Sequence, residues 1–136
     1  TPAYVAAVLS ALASFKPVRL CITTESEVIE KRVMLCAVAN AQTYGGGMKV
    51  APEASVTDGL LDIILLEEVS PFEFLRQFPK VFSGSHLSHP AISVHRAKRV
   101  VLEAERALPM GIDGDVIKRQ RVEVRVLPSH LPLIVP

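Results

Sequence analysis

Three short stretches hold residue types suited to chemistry. Tyr44-Gly45-Gly46-Gly47-Met48 puts three consecutive residues without Cβ atoms into one loop, so its amides can approach a ligand closely or adopt positive φ. A flexible turn between strands fits the same residues, and no Gly-Lys-Ser/Thr follows at the spacing of a Walker loop. Ser55-Val56-Thr57-Asp58-Gly59-Leu60 sets one carboxylate on a sharp turn among main-chain carbonyls. Hard divalent cations such as Mg²⁺ take oxygen donors of that kind, although by itself the stretch is also an ordinary Asp-Gly turn. Met110-Gly111-Ile112-Asp113-Gly114-Asp115 places two carboxylates around a glycine. A carboxylate sheltered in a cleft can take a proton from a hydroxyl, whereas on an exposed tip the pair only keeps a hairpin soluble.

Other reactive side chains point less clearly. His86, His89, His95 and His130 offer a His-x-x-His spacing without a second compact pair or a Cys partner, so they read as surface loop histidines rather than zinc ligands. Four of the five phenylalanines, Phe72, Phe74, Phe78 and Phe82, share one segment. They suit the wall of an acyl-chain pocket, while their helical spacing reads as core packing. Cys21 and Cys36 lie in apolar, strand-like runs and read as buried reduced thiols.

Composition narrows the partners. The 136 residues carry 15 basic and 14 acidic side chains, a formal charge of +1, which removes strong electrostatic attraction to nucleic acid. Residues 96–125 hold eight Lys or Arg against five Asp or Glu, a local +3. That excess suits an anionic membrane surface, and its alternation with valines also suits a solvated strand face. At 49% hydrophobic with no Trp, the chain can build one aliphatic core and is too short for two domains. Its longest nearly uncharged apolar run, Ala3 to Phe15, falls short of the about 20 residues a membrane-spanning helix needs. No signal sequence is visible and the chain opens at Thr1, so a fragment of a longer, cytoplasmic parent is expected.

The elements that must position these residues follow from periodicity. Thr1-Pro2 opens a short amphipathic helix through Val5, Val8, Leu9 and Leu12. Val18, Leu20 and Ile22 alternate with polar neighbours as a half-buried strand, with a hairpin turn at Glu25–Glu27. Val33–Ala39 and Leu60–Leu66, the latter interrupted only by Asp62, are apolar on both parities and read as central strands. Ser70-Pro71-Phe72-Glu73 is a capping box with Pro at the first helical position, so Phe72 to Phe82 is predicted helical, kinked near Leu75 by Pro79. Residues 84–90 read as a loop, Lys98–Glu105 and Arg121–Leu127 as strands, Asp113-Gly114 as a tight turn and Leu131–Val135 as an edge strand. The fold class expected is mainly β, an antiparallel two-layer β-sandwich with two short helices.

Taken together, the run from Ala39 to Asp62 (A-N-A-Q-T-Y-G-G-G-M-K-V-A-P-E-A-S-V-T-D-G-L-L-D), G-S-H-L-S-H-P from Gly84 and I-D-G-D from Ile112 resemble the C-terminal domain of bacterial lipid kinases. These belong to the diacylglycerol kinase superfamily, which includes sphingosine and ceramide kinases and is distantly similar to NAD kinases. The resemblance spans nearly the whole chain. It implies a two-domain enzyme transferring the γ-phosphoryl of ATP to a lipid hydroxyl at an interdomain cleft. Residues 1–136 would form the single substrate-side domain, and the N-terminal ATP-binding domain with its G-G-D-G-T signature is absent from this sequence, so the fragment alone is expected to be inactive.

Residue by residue, the resemblance implies a structural Mg²⁺ held by the Asp58 carboxylate and the carbonyls of Ser55 and Leu60, beside a separate Mg²⁺ that accompanies ATP. It implies that Asp115 is the general base. The family has Glu there, and Asp shortens the reach by about 1.5 Å where proton abstraction needs about 2.6–3.2 Å; Asp113 is a possible helper. Asn40 and Gly45, Gly46 and Gly47 would lie on the substrate side, with Ala41 where the family often has Gly. The implied partners are the missing domain, a lipid substrate, the inner membrane face as a peripheral contact and a second copy as a homodimer. Two other readings stand beside this one: an NAD kinase-like domain, and a non-catalytic lipid-binding or dimerisation module.

Overall fold

The computed structural model of the chain describes residues 16–127. The opening helix and the closing strand at Leu131–Val135 lie outside them. Six strands form one antiparallel sheet: β1 (Val18–Thr24), β2 (Val28–Ala39), β3 (Leu61–Glu67), β4 (Ile92–Ala97), β5 (Arg99–Ile112) and β6 (Asp115–Arg125), in the order β4-β3-β2-β1-β5-β6. One helix, α1 (Pro71–Gln77), and two 3₁₀ turns, Phe78–Phe82 and Ser85–Ser88, fill the β3–β4 connection.

The single sheet makes two layers by folding over. β4 lies at one edge and β5 four places away, yet only Lys98 separates them in the chain. In a flat sheet those strands would stand roughly 19 Å apart, at about 4.8 Å per spacing, while two residues of extended chain reach about 7 Å. The sheet therefore curls until its ends meet. Register shifts in β2 between Val33 and Leu35 and in β5 between Glu103 and Leu108 supply the bends. The corner is closed by the Glu25 carboxylate, which accepts from the amides of Lys98 (2.7 Å) and Arg99 (3.4 Å), and by Val126 N–H donating to the Lys98 carbonyl (2.9 Å).

The concave face holds the core: Val18, Leu20 and Ile22 of β1, Leu61, Ile63 and Leu65 of β3, and Val100, Leu102 and Ala104 of β5. The alternation read from the sequence therefore selects the inward face of β1 and β5 correctly. β3 is buried on both faces, because Ile64 packs under Ala51 and Ala54. β2 is not: Leu35 is 46% exposed, so the expected double cover holds for one of the two central strands. β4 is a strand that the polar Ser93, His95 and Arg96 conceal in the sequence.

The expected helix Phe72–Phe82 changes character partway. Pro79 cannot donate to the Leu75 carbonyl, so α-helix gives way to 3₁₀ after Gln77 rather than kinking at Leu75. Half of the capping box forms: Glu73 N–H donates to Ser70 Oγ (3.1 Å), while the Glu73 carboxylate engages His89 (2.9 Å) instead of returning to Ser70. The phenylalanines are not core. No residue of α1 is buried, and Phe72 is 77% exposed.

Candidate functional site

Strand register gathers the three chemical stretches at one end of the sheet. β1 begins at Val18 opposite Val33, and β2 runs on past it to Ala39, where the 40–60 loop starts. β5 leaves β1 at Ala104 and continues in the same direction to the hairpin at Asp113-Gly114. Loop and hairpin thus project together beyond the start of β1. They come close: a Cβ added at Gly111 would stand 3.8 Å from the Tyr44 hydroxyl.

The glycine loop is closed by its own backbone. Tyr44 N–H donates to Met48 O (2.8 Å) and Gly47 N–H to Gly45 O (2.6 Å), with Gly45 at φ 55° and Gly47 at φ 88°, conformations that favour glycine. A side chain at Gly45 would press on Met48 Cε at 3.3 Å, while Gly46 faces open space. Lys49 N–H donates to Val81 O (2.9 Å), and buried His86 places Nε2 3.1 Å from Val50 O. The expectation of surface histidines is corrected here. His86 is buried because it holds the glycine loop to the 3₁₀ turns, and burial pushes its pKa below the ordinary value. His89 is likewise largely enclosed, against Glu73, and His130 lies outside the described residues.

Asn40 follows directly on β2 and Asp58 lies just before β3, so antiparallel pairing brings the two ends of the loop side by side. An open depression of about 350 Å³ there is lined by Ala41, Gln42, Glu53, Ala54, Ser55 and Val56. Asp58 Oδ1 accepts from Leu60 N–H (2.9 Å), which draws the carboxylate onto the Leu60 backbone, and Ser55 Oγ lies 3.1 Å from Thr57 Oγ1. The turn therefore presents one exposed carboxylate, an oxygen donor of the hard kind that divalent cations take. No cluster of three or more His, Cys, Asp or Glu occurs among the described residues.

The residue that anchors this turn, Asp62, stands out locally only as the break in an apolar strand. Asp62 is 1% exposed, its Oδ1 accepts from Arg96 Nε (2.8 Å), and its Oδ2 has no partner. Arg96 also donates from Nη2 to Glu53 Oε2 (3.1 Å) and to Glu53 O (3.3 Å). The Asp62 hydrogen bond, then the charges of Asp62, Glu53 and Asp58, hold the guanidinium above its ordinary pKa. One arginine thus ties the loop to β3 and β4.

On the hairpin, Asp113 (φ 46°) and Gly114 (φ 100°) take the positive φ values that a type I′ turn demands. Asp115 is exposed at the first position of β6, paired with Ile112. It lies on the ribbon face opposite to the Gly111–Val116 pair that Tyr44 meets. The structure thus brings the hairpin to the glycine loop without setting Asp115 against it. Elsewhere, the basic strands form a charge-paired face, with Arg99 on Glu123 (2.7 and 3.0 Å) and Arg121 near Glu103 (3.8 Å). Cys21 and Cys36 are unpaired and half-buried rather than fully buried; burial pushes the Cys36 thiol up to about 12, which keeps it protonated and unreactive.

Comparison with known proteins fits this arrangement. The chain is 32% identical over 135 residues to the diacylglycerol kinase of Mycobacterium tuberculosis (strain ATCC 25618 / H37Rv), covering 98% of this chain and 43% of that protein. It is 26% identical over 125 residues to the diacylglycerol kinase of Bacillus subtilis (strain 168), covering 92% and 41%. A solved diacylglycerol kinase structure from Bacillus anthracis str. Sterne shares the fold with a TM-score of 0.66 at 18% identity, over 91% of this chain and 44% of that one. The chain therefore spans less than half the length of the relatives it matches. Residues 1–135 match the family described as YegS C-terminal NAD kinase beta sandwich-like domain, and it is to this family that the chain belongs.

Proposed function

We propose that the chain is the substrate-side domain of an ATP-dependent lipid kinase acting on diacylglycerol or a related lipid alcohol, and that it needs an upstream nucleotide-binding domain to act. The observation that carries this reading is the approach of the Tyr44–Met48 loop to the β5–β6 ribbon, at Tyr44 and Gly111, at the sheet end where the ribbon also carries Asp115 on its other face. The names of the relatives support the acceptor class, and their greater length supports a second domain.

In this reading the Asp115 carboxylate takes the proton of the acceptor hydroxyl. The hydroxyl oxygen then bonds to the γ-phosphorus of ATP while the β–γ bridging P–O bond breaks, and ADP leaves with that electron pair. Asn40, Gly45, Gly46 and Gly47 line the acceptor side. Asp58, with the carbonyls of Ser55 and Leu60, holds a structural Mg²⁺, which supplies the charge that stiffens the turn beside the cleft. Arg96, through Glu53 and Asp62, holds that turn against the sheet.

The test is ATP-dependent phosphate transfer by the complete natural polypeptide, and by this chain alone, to diacylglycerol, to other lipid alcohols and to NAD. Transfer to a lipid by the complete polypeptide only is the expected result. Transfer to NAD would favour the dinucleotide-kinase reading, and a folded protein that transfers to nothing would favour a non-catalytic module. Asp115→Asn is expected to lower turnover about 10²- to 10⁴-fold, the usual scale for a general base, with Asp115→Glu retaining activity.

A further inference from the structure

The α1 segment is built inside out. Glu73 reaches inward to His89 and Gln77 is half-buried, while Phe72, Phe78 and Phe82 stand 77%, 41% and 49% exposed. At about 100° per residue, Phe78, Leu75, Phe72 and Arg76 follow one another around the outward arc. The rings of Phe74, Phe78 and Phe82 pack in series, stacked at 5.9 Å and edge-on at 6.2 Å, so they form a fixed ridge rather than loose side chains. Arg76 and Lys80 flank the ridge, both exposed and in no ion pair among the described residues, and the segment's one acid, Glu73, is engaged by His89. Glu73 remains 44% exposed but is paired with His89, so Arg76 and Lys80 are the charges left free beside the rings.

That combination complements the headgroup–acyl boundary of a bilayer containing anionic lipid, where rings enter the interface and cations meet phosphate. The ridge is also well placed. Val81, between its rings, is hydrogen-bonded to Lys49 just past the glycine loop, so the ridge adjoins the candidate acceptor site. On the reading proposed above, the acceptor hydroxyl lies at headgroup depth. No described helix is long and apolar enough to cross a membrane, and the rings offer a surface contact that would bring the site there. We propose that exposed Phe72, Phe78 and Phe82, the last two held in the Phe74–Phe78–Phe82 ring series, dock the protein with Arg76 and Lys80 on an anionic lipid bilayer.

The experiment is sedimentation of the complete polypeptide with vesicles of phosphatidylcholine alone or of equal parts phosphatidylcholine and phosphatidylglycerol, without ATP or acceptor lipid. The readout is thus independent of the kinase reading, and loss of phosphotransfer with vesicle binding intact would count against that reading alone. Wild type is expected to bind the mixed vesicles and to release as salt rises. F72S/F78S should bind about a hundredfold more weakly, from about tenfold per ring withdrawn from the interface. R76Q/K80Q should lose about fivefold per charge on mixed vesicles, with little change on neutral ones. F72W/F78W should bind as wild type. Wild-type binding by F72S/F78S, or no binding by wild type, would overturn the proposal. So would a lowered melting temperature of F72S/F78S with unchanged vesicle binding, which would put the ridge inside a protein interface. Equal losses on a water-soluble short-chain acceptor and on vesicles would put the rings in an acyl pocket and also overturn it.

Discussion

Asp62 and His86 carry the most consequence of any single side chains, and local spacing assigns neither a role although both lie in the stretches that carry the family resemblance. A carboxylate in the dry outer layer of β3 is tolerable only while Arg96 compensates it. Arg96→Met should therefore lower the melting temperature more than removal of any exposed charge, and adding Asp62→Asn should restore part of the loss, a coupling that a double-mutant cycle measures. His86 is held neutral by burial, so the folded state binds its proton more weakly than the unfolded chain does. The sign follows: stability is full above the ordinary histidine pKa near 6.5 and falls as pH drops through and below it. A His86→Gln variant should melt lower at neutral pH and show less pH dependence between about pH 5 and 7, which thermal melts across that range would read. The motif residues were legible because glycine triplets and Asp-Gly pairs are local signals. His86 was not, because its burial comes from a partner 36 positions away, at Val50.

At the scale of elements, apolar periodicity located faces well in strands and misled in the helix. Ile63 on β3 is fully buried, so Ile63→Ala should cost about 2–5 kcal/mol. Phe72→Ala should change stability by no more than about 0.5 kcal/mol, and chemical denaturation of the pair decides between an inward and an outward α1. Ser70→Ala should cost about 1 kcal/mol through the lost N-cap. β4 escaped notice because its short run mixes Ser93, His95 and Arg96 with Ile92 and Val94, and a strand whose outer face carries the Arg96 clamp does not alternate cleanly. Pro79 predicts a break in the helix, and the structure realises it as a 3₁₀ continuation after Gln77 rather than a kink.

For the whole molecule, the folding-over of one sheet is the decisive event, and Glu25 guards its corner. Hydrogen bonds from its own amide, from Lys98 and from Arg99 hold the Glu25 carboxyl below its ordinary pKa. Its contribution is present above the ordinary carboxylate range and is lost as pH falls through the depressed value. Glu25→Gln should thus melt lower at neutral pH and converge on wild type under acid, as melts at descending pH would read. The sequence by itself determined the family, the antiparallel β class, the inward face of β1 and β5, the burial of β3 on both faces, and the presence of a glycine loop, an Asp turn and an Asp-Gly hairpin, because each is written in residues close together along the chain. Tertiary structure alone decided that the two layers come from one sheet, that loop and hairpin come close at Tyr44 and Gly111, that Arg96 binds the Asp58 turn to the sheet through Asp62 and Glu53, and that the phenylalanines face outward. Those outcomes depend on which distant strands pair and how sharply the sheet bends, and local spacing carries no information about either.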